Sequence, residues 1–105
     1  MKAVIISPAA ELDLNAITDF YLMAAGIDMA SAFLTAWDGC VAHMGGFAAS
    51  GSPRLAEPLA MPGLRVWPVK GFPQLALYQE SAADVTVQRV LHSARDLRFA
   101  LRGSV

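Results

Sequence analysis

Apolar residues run unbroken from Ala3 to Ile6, too few for a helix and enough for a short buried strand. At Ser7-Pro8 the pattern changes. Ser7 is placed to cap a helix and Pro8 to open it, since the first helical position needs no backbone N–H. Ala9, Leu12, Ala16, Phe20 and Met23 then recur at three- and four-residue spacing, with Asp13, Asn15, Thr18 and Asp19 off that line. The spacing predicts a helix to about Ala25 with that stripe turned to the core, ended by Gly26. A second helix is expected from near Asp28 to about Met44, on Ala30, Phe33, Trp37, Val41 and Met44. Only Asp28, Asp38 and His43 can carry charge along it, so it is expected to be buried on more than one side. A link of two or three residues should fold the pair into an antiparallel hairpin. One side packs on a sheet and the other meets a partner.

Residues 47–62 read as a loop, with Gly51, Pro53, Pro58 and Pro62 among small residues, and loops of that length are usually functional or mobile. Two strands follow, 64–69 and 74–80, around the turn Lys70-Gly71-Phe72-Pro73. Pro68 lacks a ladder donor, so the first of them belongs at an edge or a bulge. The closing strand, 85–92, alternates Val85, Val87, Arg89 and Leu91 on one face with Thr86, Gln88, Val90 and His92 on the other. Neither face is purely polar, which places it inside the sheet. Ser93 is positioned to cap a basic terminal helix, with Asp96 three residues on as the partner of a capping box. The order β-α-α-β-β-β plus a short C-terminal helix predicts an α+β domain over 1–105, a helical hairpin on a small, mostly antiparallel sheet.

Composition sharpens this picture. Of the 105 residues 55% are hydrophobic and 16% charged, against roughly 25% charged in a typical soluble domain. So greasy a chain predicts surface meant to be covered by another chain. Charge is also uneven: residues 1–50 hold one lysine against five acidic residues, and residues 51–105 seven basic against four acidic. That split predicts a basic face for a polyanion or acidic partner. Cys40 is the single cysteine, so no disulfide within the chain is possible, and it is expected as a small buried hydrophobe. The opening apolar run is too short for a secretory signal, and Gly26 and Asp28 break the greasiest window, Phe20 to Trp37. A cytoplasmic protein without membrane contact is expected.

Candidate chemistry is sparse. His43 and His92 are the potential acid–base groups, and His92 is expected to cap the turn after the last strand. The histidines and Cys40 have no metal-ligand spacing, and no phosphate loop or nucleophile motif occurs. No catalytic residue, metal or cofactor is expected. In a regular strand Arg89 and His92 point to opposite faces and cannot serve one substrate together.

Three stretches carry a resemblance. Ser7-Pro8-Ala9-Ala10-Glu11-Leu12-Asp13-Leu14-Asn15-Ala16-Ile17 is similar to an S-P-x-A-x-x-D-L-x-x-I opening, Gly63-Leu64-Arg65-Val66-Trp67-Pro68-Val69 to a G-L-R-x-x-P-V strand, and Arg89-Val90-Leu91-His92-Ser93-Ala94-Arg95-Asp96 to an R-V-L-H-x-A-R-D ending. In that order they resemble ParE-type toxins of the ParE/RelE toxin–antitoxin superfamily. The resemblance implies a type II toxin that inhibits DNA gyrase and is neutralised by a cognate antitoxin, ParD-like or another small DNA-binding protein. Sequence-specific nucleic-acid binding by the toxin itself is not expected. Arg65, Arg89, His92, Arg95 and Arg98 are the residues expected to meet the target; Trp37, Trp67, Phe72 and Tyr78 are those expected to meet the antitoxin. The same superfamily offers a RelE-type ribosome-dependent mRNA endoribonuclease and an inactive toxin-like subunit as alternatives. The chain departs from the family pattern at Gly71-Phe72-Pro73, where G-R-Y is usual, and in its nearly uncharged second helix.

Overall fold

A computed structural model describes residues 1–97. Strand β1 (Ala3–Ile6) leads into helix α1 (Pro8–Ala25), helix α2 (Ile27–Gly46) and a short 3-10 turn (Ala48–Ser50). Strands β2 (Leu64–Pro68), β3 (Gln74–Glu80) and β4 (Asp84–His92) complete the described elements. Ser7 caps α1 as expected: its Oγ accepts from the Ala10 N–H at 3.1 Å and donates to the Gln88 carbonyl at 2.9 Å, tying the helix start to β4. Gly26 is the whole link between the helices, shorter than the spacing suggested, and its φ of 93° is a left-handed value that favours glycine.

The sheet order is β1-β4-β3-β2. β1 pairs parallel with β4, and the other two pairings are antiparallel. β4 is therefore interior and β2 an edge, as the Val-rich and Pro68-containing sequences respectively imply. Ser52 closes the free side of β2 at its middle: it donates to the Val66 carbonyl at 3.0 Å and accepts the Val66 N–H at 2.9 Å.

The expected alternation along β4 fails at Gln88. Tyr78 pairs with Val87 but Leu77 pairs with Arg89, so Gln88 is the extra residue of a bulge. The shift brings Val85, Val87 and Val90 to the helix side together, while Leu91 joins the opposite face. Beyond the bulge the pairing is regular to His92, so Arg89 and His92 still start from opposite faces.

Two apolar cores flank the sheet. Under the helices lie Ala10, Phe33, Trp37, Cys40, Met44, Tyr78 and the three valines of β4. Behind it Leu64, Val66, Leu75, Leu77 and Leu91 are covered by Leu55, Ala56, Leu59 and Met61 from the long loop and by Leu97. The loop thus serves as a lid on the second core; its apolar residues, not its glycines and prolines, decided that.

The stripe expected to bury α1 faces the wrong way. Leu12, Phe20 and Met23 are exposed, while Ala10, Leu14, Ile17 and Tyr21 pack inward. Both lines are apolar at helical spacing, and periodicity does not choose between them. Asp13 lies on the inward side. Its carboxylate accepts from Arg89 Nε at 2.7 Å, Arg89 Nη2 at 3.0 Å and the Val90 N–H at 3.0 Å. On α2 the expected face is buried, with Cys40 fully inside and Val41 only partly so.

Candidate functional site

Of the described residues expected to meet a target, His92 and Arg95 line one cavity, Arg89 pairs with a carboxylate of its wall, and Arg65 lies apart on β2. Arg65, on the edge strand β2, donates from Nη1 to the Gly51 carbonyl at 2.8 Å and so fastens the loop. Arg89, on interior β4, reaches past the end of β1 to Asp13. Its pairing with that carboxylate holds the guanidinium pKa above its ordinary value, although partial burial opposes the shift. Arg95 is the most open of those described, 67% exposed, with its Nε 3.3 Å from Asp96. Arg98 lies outside the described residues, as does the rest of the expected terminal helix.

His92 ends β4 and performs the capping role expected of it. Its Nδ1 accepts from the N–H groups of Ala94 at 3.2 Å and Arg95 at 3.1 Å, which places the proton of a neutral ring on Nε2. Asp96 answers by accepting the His92 N–H at 2.8 Å. Burial would raise the Asp96 carboxyl, but that hydrogen bond and the Arg95 guanidinium outweigh it, and its pKa lies below the usual value. The cap expected of Ser93 therefore belongs to His92, one residue earlier; Ser93 instead donates its N–H to Pro73. The imidazole reaches the helix's free N–H groups from the last strand position, where a hydroxymethyl one residue on does not.

Between this corner and α1 opens a cavity of about 270 Å³, lined by Ile17, Phe20, Tyr21, Gln74, Val90, His92 and Arg95 among others. Gln74 is 5% exposed, and its Oε1 accepts from the Tyr21 hydroxyl at 3.3 Å. No short stretch of sequence contains this cavity, because its walls come from α1, the start of β3 with the turn before it, and the end of β4 with the residues after it.

The aromatic residues expected at an antitoxin interface divide. Tyr78 is fully buried and donates to the Ala48 carbonyl at 2.6 Å; Trp37 is 6% exposed. Both are core, Trp37 on the sheet-facing side of α2 and Tyr78 on the face of β3 turned to the helices. Trp67 and Phe72 are half-buried. Trp67 stacks on His43 with ring centroids 3.6 Å apart, and Phe72 packs edge-on against Tyr21 and Phe33. They flank an open groove of about 750 Å³ with Ala36, Gly39, His43 and Lys70.

A further apolar surface is one that the spacing had, Ile27 apart, assigned to the interior. Leu12, Phe20, Met23 and Ile27 stand 70%, 60%, 86% and 71% exposed along α1 and the hairpin bend. Among the described residues no three metal-capable side chains converge, and no helix is long and apolar enough to cross a membrane.

The geometry defines a class first: a small α+β protein, its helical hairpin laid on a mixed four-stranded sheet, with much of the hairpin's outer face apolar and open. A solved structure described as "Chromosomal ParDE TA system from P. aeruginosa" shares this fold, with a TM-score of 0.73 over 88% of this chain and 96% of that one at 23% identity. No curated protein is significantly similar in sequence. The family model for the ParE toxin of the type II toxin–antitoxin system parDE matches residues 4–97. The chain belongs to that family and is the toxin of a type II toxin–antitoxin pair, whose partner is an antitoxin.

Proposed function

We propose that this toxin acts in the cytoplasm by binding DNA gyrase, without itself catalysing a bond cleavage, and that its antitoxin neutralises it by covering the outer face of the helical hairpin. The open apolar line of Leu12, Phe20, Met23 and Ile27 carries the second half of this reading. A contiguous apolar patch of this kind on a small protein marks an interface. The groove beside Trp67 and Phe72 extends it. The antitoxin engages that groove through side chains rather than by adding a strand to β2. Both main-chain groups of Val66 are already held by Ser52, and Pro68 has no N–H to offer.

Gyrase is the target typical of the family. The commitment of His92 to a helix cap supports a binding role over acid–base catalysis. Arg95 is the described residue best placed to meet a target, being exposed at the corner where β4 ends.

Inducing the chain without its antitoxin tests the target. Growth should stop, plasmid supercoiling should fall and cleaved DNA should accumulate, while transcripts stay whole. Arg95→Ala should relieve the arrest. Transcripts cut within minutes, at unchanged supercoiling, would instead mark a RelE-type ribonuclease. Unimpaired growth would mark an inactive toxin-like subunit. For the antitoxin face, Phe20→Asp should weaken complex formation roughly 10- to 100-fold, as expected from losing about 1.5–3 kcal/mol of apolar burial.

A further inference from the structure

We infer that the cavity between α1 and the end of β4 is a receptor for one uncharged apolar side chain of an extended peptide, whose main-chain carbonyl is gripped by Gln74 and His92. This rests on the reading of the hairpin's outer face as the antitoxin surface and locates an anchor point on it.

Size is the first reason. At about 270 Å³ the cavity falls just below the roughly 300–1,000 Å³ of sites that take whole cofactors or drug-sized ligands. One side chain with its peptide unit is the better match. Chemistry is the second. Ile17, Val90 and the Tyr21 ring make apolar walls, and two neutral donors stand among them. The Gln74 residue is nineteen-twentieths buried, its Oε1 takes the Tyr21 hydroxyl, and its Nε2 has no partner among the described residues. No buried side-chain nitrogen or oxygen among the described residues lacks a partner, so this Nε2 is the part of Gln74 open to the cavity, where an arriving acceptor can take its hydrogen bond. His92 offers the second donor. Its Nδ1 is occupied by two backbone N–H groups, which leaves Nε2–H as the remaining polar edge of the neutral ring.

Charge separates a peptide from a nucleotide. Two carboxylates, Asp13 and Asp96, line the same cavity, and the guanidinium groups of Arg89 and Arg95 pair with them. Among the described residues the lining offers a phosphate no net positive field, whereas a neutral peptide carbonyl needs none. Continuity supplies the partner. Phe20 lines the cavity and also belongs to the exposed line on α1, so a chain covering that line passes the cavity mouth.

The test has two arms. In the first, the full isotopically labelled chain is titrated with N-acetyl-leucinamide, N-acetyl-phenylalaninamide and adenosine monophosphate while the Gln74 side-chain amide and, in every variant, the Val90 backbone amide are followed by NMR. Saturable shifts with either amide are expected, reduced roughly tenfold in apparent affinity by Gln74→Leu, the loss typical of a hydrogen bond worth about 1.4 kcal/mol. If Gln74→Leu fails to fold, Ala16→Trp, at an exposed helix position lining the cavity, should block the same shifts. No saturable shift with the amides, or saturation by adenosine monophosphate alone, would overturn the assignment. The second arm measures how much cognate antitoxin restores growth. Gln74→Leu or Ala16→Trp toxin should need about tenfold more. If Phe20→Asp escapes neutralisation while the cavity variants do not, the anchor is refuted and the apolar-face reading stands. If none escapes, both fall.

Discussion

Asp13 supplies the clearest quantitative prediction, because one carboxylate settles two different needs of the fold. β1 ends opposite Val87, and the edge of β4 beyond it has no strand to pair with. The Val90 N–H lies on that edge, in a residue 2% exposed, and Asp13 accepts its hydrogen bond. The same carboxylate holds Arg89 in a two-pronged pair. These contributions differ in worth. Arg89 is 50% exposed, so its attraction to Asp13 is screened, and about 0.5 kcal/mol is a fair share for such a pair. Leaving the Val90 N–H without an acceptor costs about 1–2 kcal/mol. Asp13→Ala should therefore destabilise the chain by about 2 kcal/mol, a fall in Tm of roughly 8–16 °C for a protein this small. Arg89→Ala should cost less than about 1 kcal/mol, and Asp13→Asn, which keeps an acceptor, should fall between them. Urea unfolding of the three variants, with the Asp13→Ala/Arg89→Ala double variant to isolate the coupling, checks the order. Equal losses for Asp13→Ala and Arg89→Ala would refute the reasoning, for the ion pair would then dominate. So would a stability loss at Asp13→Ala that 0.5 M salt reproduces in the unaltered chain.

Other outcomes follow from the same structure. A Cβ on Gly51 would overlap the Tyr78 hydroxyl and sit 3.1 Å from the Arg65 Cβ, so Gly51→Ala should destabilise by about 2 kcal/mol, read by urea unfolding. Tyr78→Phe should cost about 1 kcal/mol by removing the buried bond to Ala48. Asp96 has its folded pKa below the unfolded one, so its contribution is complete above about pH 4 and is lost as pH falls through the lower folded value. Unfolding free energy measured against pH should therefore drop less steeply on the acid side in Asp96→Asn than in the unaltered chain. Burial pushes the Cys40 thiol up to about 12, and a thiol-reactive reagent at neutral pH should modify it only at the rate of unfolding. Rapid reaction in the native state would contradict that burial.

Much of the architecture was legible along the chain because its cues are local. A serine and a proline open α1, Gly26 turns it, Pro68 confines β2 to an edge, and a valine-rich run places β4 inside. His92 as a cap was also legible, from its place between strand and turn. The family motifs are local in the same sense, being short runs whose order survives in the sequence.

What tertiary structure alone decided was direction and company. α1 carries two apolar lines at equal spacing; the one with Leu12, Phe20 and Met23 faces outward, and Asp13 on the inward side meets Arg89 and the bare edge of β4. The Gln88 bulge reversed half of β4, because pairing with β3 must bring Val90 to the same side as Val87. Trp37 and Tyr78 became core while Trp67 and Phe72 stayed at a groove, though all four are equally apt for an interface by type. Local propensity sets each element's beginning, end and period. Which face is buried depends on contacts between residues dozens of positions apart, and no short window contains them.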